Sequence, residues 1–115
     1  MPSLKHQMFN DGVVRIYKID NIAQPGNMPK DGLIFKETLR YKERTVGVNR
    51  YWAALQDNVR ISHVLRVPER RNISTQDIAI PNDGKQYKIV QIQYPEDMSV
   101  MDLSLERLEQ EYEIG

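Results

Sequence analysis

Between Leu33 and Arg44 the chain alternates with a period of two. Leu33, Phe35, Leu39 and Tyr41 share one parity, interrupted only by Glu37, while Lys36, Thr38, Arg40, Lys42 and Arg44 share the other. Successive side chains of an extended strand point to opposite faces, so this spacing predicts a strand buried on one side and wet on the other. Residues 59–67, "VRISHVLRV", repeat the pattern. Val59, Ile61, His63, Leu65 and Val67 oppose Arg60, Ser62, Val64 and Arg66, and Pro68 follows as a stop because it has no ladder donor. Residues 13–19, "VVRIYKI", have the β-branched and aromatic composition of a first strand. Half-buried strands must lay their apolar faces together. The fold expected is therefore all-β: a small antiparallel β-barrel or sandwich of five to six strands with one short helical or loop insert.

Turn chemistry divides the rest. Residues 20–32, "DNIAQPGNMPKDG", form a long loop, a type of segment that is usually functional or mobile. In "QDIAIPNDGKQYKIVQIQYPED" a short strand, a turn at Asn82-Asp83-Gly84 and a longer strand follow one another. Tyr87 and Ile89 lie on one parity and Val90 and Ile92 on the other, which requires either cover on both faces or a bulge. The tail, "MDLSLERLEQEYEI", reads two ways: Met101, Leu105, Leu108 and Tyr112 fall at helical spacing, whereas Leu103 and Leu105 alternate. With 115 residues the chain is expected to form one domain over 13–115, preceded by a flexible arm over 1–12.

One segment breaks the alternation. In "RYWAALQ", residues 50–56, the apolar residues bunch around the only Trp. Asn49 is placed to cap a helix whose apolar stripe is Val48, Trp52 and Leu55. About two turns of helix are too short to stand alone in water, so the insert must lean on the barrel or on a neighbour.

Composition narrows the chemistry. The absence of cysteine excludes a disulfide framework, a thiolate metal site and a cysteine nucleophile, and it points to a reducing compartment. No apolar run approaches the roughly 20 residues of a membrane span, and "MPSLKHQMF" has no signal-peptide core, so a cytosolic soluble domain is expected. Of the two histidines, His6 lies in the arm, and His63 reads as a neutral, hydrogen-bonded core residue. Glu106, Glu109, Glu111 and Glu113 read as a solvated charged face. No metal, phosphate or nucleophile motif occurs, and no catalytic residue, metal ligand or cofactor is assigned. A non-enzymatic protein is expected.

A nucleic-acid surface is the alternative. Lys36, Arg40, Lys42 and Arg44 form a cationic row that Arg60, Arg66, Arg70 and Arg71 extend if the strands pair. Tyr41 and Trp52 would then serve as stacking platforms of an OB-like nucleic-acid-binding barrel. Sixteen basic residues balance sixteen acidic ones, which weighs against a dedicated binder.

Taken in order, "YKERTVGVNRYWAALQDNVRISHVLRVP", "ISTQDIAIPNDGKQYKIVQIQ" and "MDLSLERLEQEYEI" resemble the head-tail connector proteins of long-tailed bacteriophages and prophages, the head-closure or stopper group. The resemblance covers Gly32 to Ile114 and rests on the order and spacing of the elements. It implies a β-barrel assembled into a ring of about twelve copies. Such a ring sits beneath the portal and adaptor proteins, retains packaged DNA without sequence specificity and docks a tail-completion protein. It also implies assembly in the bacterial cytoplasm and a final place at the head-tail interface of the virion, with no membrane partner. By position, Thr45 to Asn58 would project toward the channel or a neighbouring subunit, with Val48, Asn49, Arg50, Tyr51, Trp52 and Leu55 as the contact residues. Lys36, Arg40, Lys42 and Arg44 would face the DNA channel or a subunit whose acidic tail, residues 106–113, complements them. The resemblance also implies that Asp102 to Tyr112 is extended.

Overall fold

The computed structural model describes residues 9–44, 61–96 and 99–115. Seven strands and no helix occur among them: β1 (Gly12–Asn21), β2 (Asp31–Arg44), β3 (His63–Pro68), β4 (Ile78–Ile80), β5 (Tyr87–Gln93), β6 (Val100–Arg107) and β7 (Glu113–Ile114). They form one sheet in the order β1-β4-β5-β6-β3-β2-β7, and β1 also pairs with β2. That extra pairing closes the first six strands into a hydrogen-bonded ring. Every pairing within the ring is antiparallel. The expected all-β architecture is observed, with the two-residue β7 added in parallel at the edge of β2. The insert around Trp52 lies outside the described residues.

The ring interior is the main core. Val14, Ile16, Leu39, Tyr41, Leu65, Val67, Ile89, Met101, Leu103 and Leu105 meet there, seven of them with no accessible surface. A second cluster sits on the outer face of β1, β2 and β4, where Tyr17, Leu33, Ile78 and Ile80 are covered by Leu108 and Tyr112 of the tail. The tail is thus pulled back onto the ring. Its course is fixed by Gln86, whose amide side chain accepts from the Tyr112 N–H and donates to the Tyr112 carbonyl, both at 2.8 Å.

Two bulges decide which residues reach which core. On β2 the register passes from Glu37 opposite Ile16 to Phe35 opposite Tyr17, so Lys36 is an extra residue. The single apolar parity read for β2 is therefore corrected. Leu39 and Tyr41 face inward, but Leu33 turns outward to the second cluster and Phe35 stays half exposed against the edge of the Tyr17 ring. On β5 the register skips Val90, between Ile89 opposite Leu105 and Gln91 opposite Ser104. This bulge is one of the two outcomes that the parity change in β5 required. It returns Ile92 to the main core.

The Asn82-Asp83-Gly84 turn joins β4 to β5 as its chemistry predicts. Gly84 has φ +75°, its N–H bonds the Pro81 carbonyl, and the Lys85 N–H bonds Asp83 Oδ1 at 2.9 Å. The β1–β2 hairpin connection is residues 22–30, shorter than the expected 20–32 loop because Asp20 and Asn21 pair with Gly32 and Asp31. Asn21 Oδ1 holds both of its ends, accepting from Ala23 and Lys30 at 3.0 Å. Gly32 lets β7 approach, since a Cβ there would lie 2.9 Å from the Glu113 carbonyl oxygen. The tail is extended through Arg107, against its helical spacing, and residues 108–112 are irregular. β3 and β5 flank β6 on its two edges, and that pairing outweighs local propensity.

Candidate functional site

Three cations remain of the predicted basic row. Arg40, Lys42 and Arg44 lie exposed on the outward parity of β2. Lys36 does not join them. As the bulge residue it is drawn inward, where Nζ donates to Asp77 Oδ2 at 2.7 Å and to the Asn72 carbonyl. Asp77 also accepts the Ser74 N–H, so Lys36 fastens the loop before β4 to the ring. The sequence places Lys36 in line with Arg40 only because a bulge leaves no mark on parity until the partner strand is known.

The cations expected to extend the row are engaged elsewhere. Arg66 is buried opposite Asp102, with Nε–Oδ1 at 2.8 Å and Nη2–Oδ2 at 3.0 Å. The outer face of the β3–β6 pair, including Val64 and Ser104, is buried with it. Arg70 pairs with Glu37 at 3.3 Å and Arg71 with Glu69 at 3.3 Å. Arg60 lies outside the described residues. Tyr41 is 5% exposed, so it belongs to the core and offers no stacking platform. Val48, Asn49, Arg50, Tyr51, Trp52 and Leu55 lie outside the described residues. Of the tail acids, Glu111 accepts the Gln86 N–H and Glu113 pairs with Lys30 at 2.5 Å.

The rim from which β2 leaves and to which β3 returns carries a polar cluster. Glu43 continues the inward parity of Leu39 and Tyr41, and His63 stands one step before Leu65 on the inward parity of β3. His63 Nδ1 lies 2.7 Å from Glu43 Oε2, and Nε2 lies 3.2 Å from the Tyr87 hydroxyl. Tyr87 in turn donates to Asp83 Oδ2 at 2.5 Å. The His63 and Tyr87 rings meet edge to face, with centroids 5.1 Å apart. His63 is thus hydrogen-bonded as expected, but it sits at the rim with a third of its side chain exposed, not in the core. A polar residue on the inward parity at the end of a strand was the sequence signal for this rim, since it marks where the apolar interior stops.

The electrostatics follow from partial burial. Burial, then the Asp83 hydrogen bond and charge, push the Tyr87 hydroxyl up to about 12. Burial likewise raises Tyr41, helped by the charges of Glu43, Asp83 and Asp11 against a hydrogen bond from the Asn82 backbone. For Asp83, burial opposes the charged form. Hydrogen bonds from Tyr87 and the Lys85 N–H, with the charges of His63 and Lys85, nevertheless hold its carboxyl below the usual range. Among the described residues no group of three or more His, Asp or Glu side chains is placed to hold a metal ion.

An open groove of about 710 Å³ runs between the outer face of β4–β5 and the tail, lined by Ile19, Ile78, Val90, Leu108, Tyr112 and Lys88 among others. Glu106 is the tail acid that lines it, and it stands opposite Lys88 across β5 and β6. In comparisons with known proteins, no protein-family model matches the sequence and no curated protein matches it significantly.

Proposed function

We propose that the protein is a non-enzymatic structural adaptor of a long-tailed phage or prophage, closing the DNA-filled head below the portal and presenting a docking surface to the tail. The supporting observation is the combination of a closed six-stranded ring with a β2–β3 connection that departs from one rim beside an exposed row of Arg40, Lys42 and Arg44. In such a ring the outward face of β2 beyond its bulge is left open to a neighbour. A row of three cations, with Lys36 and Arg66 withdrawn, suits a surface that DNA passes or a subunit touches better than one that grips a nucleic acid tightly.

Deleting the gene from its phage or prophage tests the reading. The expected result is heads that fill and then lose DNA, together with unattached tails. Heads that keep their DNA and join tails without the protein would overturn it. A binding titration addresses the OB-like alternative. A single-strand binder loses affinity steeply with salt, whereas the purified adaptor is expected to show only weak affinity, removed when Arg40, Lys42 and Arg44 are replaced by Ser.

A further inference from the structure

The rim cluster poses a proton count. Three contacts join four groups in series: Glu43 to His63, His63 to Tyr87, and Tyr87 to Asp83. Each contact needs one hydrogen. With both carboxylates ionised they can only accept, and a neutral imidazole carries one N–H and the phenol one O–H. That inventory supplies two hydrogens for three contacts. The Tyr87 hydroxyl gives its single hydrogen to Asp83, so Nε2 must donate to the phenol oxygen. Nδ1 must donate to Glu43 as well, unless Glu43 itself holds the proton. The arrangement closes only when the cluster carries one proton beyond the neutral imidazole and phenol.

We infer that this rim is a proton-operated clasp: the extra proton, shared between His63 and Glu43, ties the end of β2 and the start of β3 to the Asn82-Asp83-Gly84 turn, and its loss opens one of the three contacts. The position gives the clasp its consequence. Glu43 and His63 stand at the two stems of the β2–β3 connection, while Asp83 belongs to the β4–β5 turn across the rim. The same turn is held to β1 by Asn82, whose Oδ1 accepts the Val13 N–H at 2.9 Å. A proton leaving the rim therefore breaks one contact and loosens the seat of that turn against the β2–β3 stems.

The surrounding charges support the count. From before β1, Asp11 Oδ2 accepts the Glu43 N–H at 2.7 Å. From β2, Tyr41 lies within reach of the charges of Glu43, Asp83 and Asp11. After the turn, Lys85 acts on Asp83, and from β6, Arg107 acts on Tyr87. Among the described residues three carboxylates thus face two cations, an excess of negative charge that favours holding the extra proton. The contacts stay wet enough to exchange that proton, because the side chains of His63, Glu43 and Asp83 are all about a third exposed or more.

The test follows all the groups of the clasp in the intact chain by NMR from about pH 5 to 9, the range in which an imidazole changes charge. The His63 ring, the Glu43 and Asp83 carboxyl carbons, and the Lys85 and Val13 amides are expected to change together with a shared midpoint. Above that midpoint the protection of the Lys85 amide, corrected for intrinsic exchange, is expected to fall, because its acceptor Asp83 sits on the turn that the opened contact no longer ties to the β2–β3 stems. In His63→Gln, with folding checked by circular dichroism, the turn amides should lose their pH response. A His63 ring that titrates while Asp83 and the Lys85 amide stay still, or a response that survives in His63→Gln, would overturn the clasp.

Discussion

Asp102→Ala is the sharpest test of how the ring is held. Asp102 and Arg66 face each other across β6 and β3, each side chain is 7% exposed, and two N···O contacts of 2.8 and 3.0 Å join them in a fork. A pair of this kind on the surface contributes about 0–1 kcal/mol, because water screens it. Here both charges lie on the buried outer face of the β3–β6 pair, almost wholly withdrawn from water. Removing the carboxylate takes the Asp102 fork away from a buried guanidinium, a defect that costs roughly 3–5 kcal/mol. Against a total stability of about 5–15 kcal/mol, that is a large fraction. At roughly 3–6 °C per kcal/mol for a chain of this size, the midpoint should fall by about 9–30 °C. Urea unfolding followed by circular dichroism, supported by a thermal scan, measures both. The double variant Arg66→Met/Asp102→Leu supplies the control. It removes both charges, keeps apolar volume between the strands and should recover most of the loss. A single variant within about 1 kcal/mol of the parent would show that water reaches the pair, and the buried-fork reasoning would fail.

Other outcomes follow from the same geometry. Lys36→Met should destabilise by about 2–3 kcal/mol because it strands the buried Asp77 carboxylate, whereas Arg40→Ser should stay within about 0.5 kcal/mol; equal effects in urea titrations would return Lys36 to the surface row. Leu103→Ala, at a position with no accessible surface in the ring interior, should cost roughly 2–5 kcal/mol by the same assay. The Tyr87 hydroxyl is raised in the fold, so its contribution is fully present below pH 10 and is lost as pH climbs toward about 12. Alkaline unfolding should therefore become less steep in Tyr87→Phe, and an unchanged alkaline limb would refute this. Asp83 is lowered, so its contribution is present above the ordinary 3.8 and disappears as pH drops through the folded value; Asp83→Asn should flatten that part of an acid titration.

Much of the architecture was legible because its causes are local. Period-two alternation marked β2 and β3, β-branched and aromatic composition marked β1, and Asn82-Asp83-Gly84 marked the β4–β5 turn through the positive φ that Gly84 supplies. The parity change at Ile89–Val90 announced an irregularity in β5, which the Val90 bulge provides. Less of the site could be read. The cationic row was visible as a parity, but Lys36 left it at a bulge that only the pairing with β1 reveals. Glu43 and His63 had the inward parity of rim residues, yet nothing near them in sequence points to Asp83 or Tyr87, which arrive from the next hairpin.

The sequence by itself determined that β1, β2 and β3 are extended, that Leu39 and Tyr41 share one face of β2 while Arg40, Lys42 and Arg44 share the other, and where the β4–β5 turn falls. Each of these depends on residues within a few positions of one another. Tertiary structure alone decided that Arg66 would be buried against Asp102, that Met101, Leu103 and Leu105 would line a strand despite helical spacing in the tail, and that the tail would fold back over Tyr17 and Leu33. Whether a charge is exposed or locked, and whether an ambiguous segment extends, depends on the partner across the ladder, and closing the six-stranded ring is what chooses that partner.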